Sequence, residues 1–227
     1  RGAGAGGVSG SGVGGAEGLY QGALTYARAR LQSRAPQGVQ QPEAKADAII
    51  HQPDVRRMLL TQKAITEGCR ALSLLYAKFM DIEKHAEGEQ KEHAEHVLQY
   101  LTPVCKSFMT DMGLEIANHG VQIFGGHGYV REWGMEQLMR DARIAQLYEG
   151  TNGIQAGDLI GRKLTRSGGV MMRATAQVLT ELTDAIEDDR ARISAQELGS
   201  EWREPSGKPL HIKAGAQNNL SRPRADP

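Results

Sequence analysis

Between Val121 and Gln155 the sequence gathers the residue types that can bind a ligand and remove a proton from it. The first part reads Val121-Gln-Ile-Phe-Gly-Gly-His-Gly-Tyr129. Gly125, Gly126 and Gly128 cannot continue a helix comfortably, and their freedom lets a flat or phosphorylated ligand come close to the backbone. The second part, Tyr148-Glu149-Gly150-Thr151-Asn152, places one carboxylate just ahead of a helix start, with Thr151 or Asn152 as the N-cap. Under apolar cover such a carboxylate loses hydration and becomes a stronger base. Without that cover it is an exposed glutamate in a capped turn, and the residues alone leave both readings open.

Other chemistries find less support. His85, His93 and His96 lie among Glu87, Glu89, Glu92 and Glu95, with His93 and His96 one helical turn apart. Metal sites use such spacing, but mixed charge over a whole turn reads as a solvated helix face. Gly2, Gly4 and Gly7 spell G-x-G-x-x-G, yet no strand precedes them, so a flexible Gly-rich tail is expected over 1–16. There is no G-x-S-x-G elbow and no P-loop, and Cys69 and Cys105 are isolated thiols without a CxxC partner. Nucleophilic catalysis is therefore not supported. The 27 basic and 27 acidic residues balance, which removes the charge excess expected of a nucleic-acid binder. No apolar run is long enough for a membrane span, and the glycine-rich start lacks the apolar core of a signal peptide. The cysteine usage fits a reducing cytosol, so a cytoplasmic location is expected.

The elements that must hold these residues are helices. Leu19, Ala23, Tyr26, Ala27 and Arg30 keep helical spacing over 18–34, and a loop rich in Gln, Pro and Gly follows. Pro53-Asp54 opens a helix whose apolar series runs Val55, Met58, Ile65, Cys69, Leu72, Tyr76 and Phe79. A further helix over about 90–122 places Val97, Leu101, Val104, Phe108, Met112 and Ile116 on one side, with Pro103 as a kink or a second start. Shorter helices are predicted over 134–145 and 151–164. Ser167-Gly168-Gly169 reads as a linker and domain boundary before a last helix, about 170–196. The polar, proline-bearing stretch 197–227 reads as a disordered tail. An all-α, antiparallel helical bundle is the predicted fold.

The block from 121 to 164 resembles the signature of acyl-CoA dehydrogenases, whose last helical domain carries Q-I-F-G-G-x-G-Y, M-R-D-A-R and Y-E-G-T. Here these read Gln122–Tyr129, Met139–Arg143 and Tyr148–Thr151. The likeness covers about residues 17–165. The version Gly-His-Gly-Tyr-Val-Arg-Glu-Trp-Gly-Met-Glu-Gln looks like the larger bacterial branch, which includes the 3-methylmercaptopropionyl-CoA dehydrogenases and adds a C-terminal helical domain. Residues 166–196 would begin that extra domain.

The resemblance implies an FAD enzyme that converts an acyl-CoA thioester to a trans-2-enoyl-CoA, with Glu149 as the catalytic base. It implies that Tyr148 and Gly150 line the substrate thioester, and that Thr151 and Asn152 lie at the flavin's phosphate side. It carries Arg30 to the FAD pyrophosphate of a neighbouring subunit, with Gln32 beside it, and Gln122, Gly125 and Gly126 to the neighbour's adenosine portion. Electron-transferring flavoprotein as acceptor and a homo-oligomer follow from the same resemblance. Ser33 and Gly153 depart from the family pattern, standing where an aromatic and a longer polar side chain are usual. The family's N-terminal helical and β domains have no counterpart here, so a truncated or frame-shifted fragment is expected. The alternative expectation is a catalytically inactive helical oligomerisation module.

Overall fold

Helix α3 (Gly88–Phe124) is the axis around which the other elements pack. At 37 residues it is about 55 Å long. The computed structural model describes residues 2–186, and the predicted tail 197–227 lies outside them. Before α3 come α1 (Gly2–Ala29) and α2 (Pro53–His85), and after it α4 (Gly126–Tyr129), α5 (Met135–Ala145), α6 (Asn152–Asp158) and α7 (Val170–Asp184). A π-helical segment, Leu159–Arg166, continues α6. No strand forms among the described residues; a single antiparallel bridge joins Leu31 to Ala48. The predicted all-helical bundle is the observed fold.

Two apolar clusters fill the bundle. In one, Leu19, Ala23 and Ala27 of α1 meet Met58 and Leu59 of α2, Ile116 and Ile123 of α3, and Met135 of α5. In the other, Cys69, Tyr76 and Phe79 meet Val97, Leu101 and Met109, with Val178 of α7 closing the side. The small residues of α1 let it lie close: a Cβ on Gly22 would come within 2.7 Å of the Met135 Cε.

Three expectations change. Helix α1 begins at Gly2, within the stretch 1–16 whose composition suggested a flexible tail. Once its later turns are fixed by packing, each preceding residue adds a backbone hydrogen bond without a new nucleus, and context overrides glycine's poor propensity. The same helix stops at Ala29 rather than 34, where the chain turns into the bridged loop. On α3, Phe108 is 45% exposed, and Val104 and Met112 are half-buried. The buried face there passes through Cys105, Lys106, Met109 and Thr110, because α6 and α7 cover α3 on the side that the period-based reading left to solvent. Pro103 is buried inside a continuous helix.

The loop between α1 and α2 is organised by one fully buried carboxylate. Asp47 accepts hydrogen bonds from the backbone N–H groups of Ala35 (2.9 Å), Gln40 (3.0 Å) and Gln41 (2.7 Å). The Arg34 guanidinium donates a fourth at 3.2 Å. Burial pushes the Asp47 pKa up, but these donors outweigh it and hold the carboxyl at about 2. Backbone bonds from Gln32 N–H to the Asp47 oxygen (3.0 Å) and from Asp47 N–H to the Ser33 oxygen (2.9 Å) then fix the segment that leaves α1.

Because the folded pKa lies below the unfolded value of about 3.9, the stabilisation from Asp47 is complete above that value. It fades as pH falls toward about 2. Proteolysis of the 34–47 loop by an acid-active protease should therefore rise over this window, and Asp47→Asn should show fast cleavage already at neutral pH. A second expectation concerns the glycine turn. A Cβ on Gly128 would meet the Val121 carbonyl oxygen at 2.5 Å, whereas one on Gly126 meets nothing within 4 Å. Gly128→Ala should cost about 1–3 kcal/mol by urea unfolding, and Gly126→Ala should be neutral or mildly stabilising.

Candidate active site

The residues singled out in the sequence fall into two groups, both carried by α3. Arg30, Gln32, Gln122, Gly125 and Gly126 line a single groove of about 580 Å³. Tyr148, Glu149, Gly150, Thr151 and Asn152 form a turn between α5 and α6. That turn is anchored near Asp111, and the groove lies at the end of α3 near Gln122. The two anchors are about 16 Å apart along the helix.

The groove is shaped by the end of α3 and the loop that Asp47 holds. Ser33, Gln52 and His127 complete its polar lining, and Tyr26, Ile49, Val55, Ile123 and Phe124 form its apolar lining. At Gly125 the chain leaves the helix with φ 59° and ψ −137°, a conformation that favours glycine. Nothing lies within 4 Å of where a Cβ on Gly125 or Gly126 would stand, so the floor is open backbone. Beside it, the Tyr26 ring stacks on Phe124 with centroids 4.0 Å apart, and His127 stacks on Trp133 at 4.7 Å. The Tyr26 hydroxyl and His127 Nδ1 share a hydrogen bond of 2.9 Å. These aromatics hold the glycine turn against α1. Tyr26, His127 and Trp133 were not expected at the site, although all three lie within the segments that drew attention.

At the turn, Glu149 has φ 56° and Gly150 φ 85°, two left-handed residues in succession. An L-residue adopts this region at a cost of about 1–2 kcal/mol, so the conformation must be held from outside. Gln155 of α6 donates to the Glu149 carbonyl oxygen at 2.9 Å, and the Thr151 hydroxyl caps α6 by accepting from the Ile154 N–H. The expected cap is thus Thr151. The Glu149 side chain is exposed, as are Leu147, Tyr148 and Ile154 around it. The chain therefore presents the carboxylate in an apolar surrounding but does not roof it.

Asn152 does not face outward like its neighbours. Its Oδ1 accepts from the Lys106 ammonium at 2.7 Å, and its Nδ2 donates to Asp111 Oδ1 at 2.7 Å and to the Thr110 hydroxyl at 3.0 Å. Gln146 Nε2 also donates to Asp111 Oδ1, at 2.7 Å. Both ends of the turn are thereby tied to one stretch of α3. Burial lowers the pKa of Lys106, and the Asp111 carboxylate opposes that shift. Lys106 and Asp111 were missed in the sequence; the only signal was a lysine inside the apolar run Val104–Met109.

The thiols stay out of the chemistry. Cys69 and Cys105 are both buried, and burial, with Cys69 nearby, pushes Cys105 up to about 12. His85, His93 and His96 form no cluster with three or more His, Cys, Asp or Glu ligands among the described residues. No described helix is long and apolar enough to cross a membrane.

Residues 4–164 match the family model described as acyl-CoA dehydrogenase, C-terminal domain. The chain is 46% identical over 168 residues to a 3-methylmercaptopropionyl-CoA dehydrogenase of Ruegeria pomeroyi, a match covering 74% of this chain and 28% of that protein. It is 36% identical over 180 residues to a butyryl-CoA dehydrogenase of Syntrophomonas wolfei, covering 79% and 28%. Among solved structures, the butyryl-CoA dehydrogenase of Megasphaera elsdenii superposes with a TM-score of 0.54 at 25% identity, over 70% of this chain and 35% of that one. An acyl-CoA dehydrogenase from Bacillus anthracis, complexed with FAD, shares the fold with a TM-score of 0.60 at 21% identity, over 90% and 37%. In each case the match spans well under half of the relative's length. The family-model match over residues 4–164 and the shared helical fold show that the chain belongs to the acyl-CoA dehydrogenase family through its C-terminal helical domain.

Proposed function

We propose that this chain supplies the base and one cofactor-binding face of an FAD-dependent acyl-CoA dehydrogenase. The observation that carries the reading is the Tyr148–Asn152 turn: a carboxylate on a strained, doubly anchored backbone inside an apolar surface. An exposed glutamate with no task has no reason to occupy a left-handed position that glycine fills without strain.

The groove fits a dinucleotide. Arg30 offers a guanidinium suited to a pyrophosphate, Gln32 and Gln122 offer amide donors, and the open floor at Gly125 and Gly126 accepts a flat ring. The groove and the Glu149 turn lie about 16 Å apart along α3; by the family resemblance the groove serves a second copy's cofactor, and the working unit is a homo-oligomer. When bound, FAD supplies the acceptor for the substrate's β-hydride.

Glu149 removes the α-proton of the acyl-CoA, with its carboxylate oxygen taking the proton as the α C–H bond breaks. Its backbone N–H, which has no partner among the described residues, is free to donate to the thioester oxygen as charge develops there. Tyr148 and Gly150 line the thioester, and Thr151 presents the start of α6. Bound acyl chain and a covering domain provide the roof that this chain lacks, raising the basicity of the carboxylate. The product is a trans-2-enoyl-CoA, and the electrons pass on to an electron-transferring flavoprotein. Soluble, cytoplasmic placement fits this chemistry.

In an enzyme containing this segment together with the family's other domains, Glu149→Gln should lower turnover by about 10²–10⁴-fold while leaving the flavin absorption band and the unfolding midpoint in place. Turnover that survives the substitution would remove Glu149 as the base.

A further inference from the structure

Lys106 carries the largest of the most deeply buried side chains, with 0% of its surface exposed, although lysine is among the residues least often buried. A buried ammonium is costly unless something in the fold needs its charge. The side chain it touches is Asn152, one residue after the cap of α6 and three after Glu149. The amide of Asn152 stands between two opposite charges. Its oxygen faces the Lys106 ammonium at 2.7 Å and its nitrogen faces the Asp111 carboxylate at 2.7 Å. An ammonium only donates and a carboxylate only accepts, so the amide has a single orientation that satisfies both. No other side chain of this size offers an acceptor and a donor back to back. Asp111 also binds Gln146, whose carbonyl oxygen accepts the Asn152 N–H at 3.3 Å, closing the turn on itself.

We propose that Lys106 is a positioning residue: its buried ammonium orients Asn152, and through Asn152 it fixes the Glu149 turn against α3. The assignment rests on the reading of Glu149 as the base for its functional meaning, but its physical content is testable without turnover. A lysine that merely filled space would stabilise α3 and its neighbours evenly. A lysine that positions the turn acts on residues 147–152 above all others, and acts only while Asn152 can accept from it.

The test is amide hydrogen exchange on the 227-residue chain, comparing Lys106→Met, Asn152→Ala and the double variant with the parent. Met keeps the volume of the stem and removes the charge. In Lys106→Met, exchange over 147–155 should quicken by about tenfold or more, the scale of one charge-assisted hydrogen bond. Amides of α2 and of the α1–α3 contact should keep their parent protection. Asn152→Ala should loosen the same segment, and the double variant should loosen it no further than the stronger single change. Additive effects, an unchanged turn, or loss of protection spread evenly over the bundle would each overturn the assignment. Exchange does not report on proton abstraction, so a silent Glu149→Gln result leaves this test standing, and failure here leaves Glu149's chemistry to be judged by turnover.

Discussion

The burial of α3 is the constraint from which the rest of the molecule follows. A helix covered by α1, α2, α5, α6 and α7 has little polar face left, so its polar residues must find partners inside the protein. Gln62 of α2 answers one such need by donating to the Ile116 carbonyl oxygen at 2.9 Å. Lys106 and Thr110 answer another by meeting Asn152. The Tyr148–Asn152 turn is thus attached to the core through buried polar side chains of α3. The glycine groove sits where α3 finally ends, at Gly125, because that is where its backbone first becomes available to anything outside.

Much of this is legible in the sequence. The helix opening at Pro53, the short helix over 134–145 and a cap at Thr151 or Asn152 follow from spacing and local chemistry; both helices are present, and Thr151 is the cap. The glycine run and the Tyr148–Asn152 segment stood out because turns and carboxylates leave local signatures. Arg30, Gln32, Gln122, Gly125 and Gly126 came from the family's pattern, and the fold gathers them into one groove.

What stayed hidden depends on partners distant in the chain. Lys106 and Asn152 are 46 residues apart, and Asp111 and Asn152 are 41. No periodicity announces that a lysine will be buried because an asparagine far downstream needs it. Asp47 is similar: it reads as an ordinary loop carboxylate until three backbone N–H groups are seen to converge on it. Composition misled in the opposite sense at the N-terminus. A tract of Gly and Ala suggests a linker, yet the chain is helical from Gly2, and further along the same helix Gly22 lies close beside Met135.

The left-handed backbone at Glu149 has a consequence for anyone redesigning this family for durability. Methods that rank substitutions by stability favour glycine or asparagine at such a position, since either relieves about 1 kcal/mol of strain. Here that improvement would delete the carboxylate while leaving expression, helix content and melting behaviour intact or better. Libraries screened for heat resistance alone would thus drift toward well-behaved proteins without the Glu149 side chain, and position 149 has to be held fixed before any such search begins.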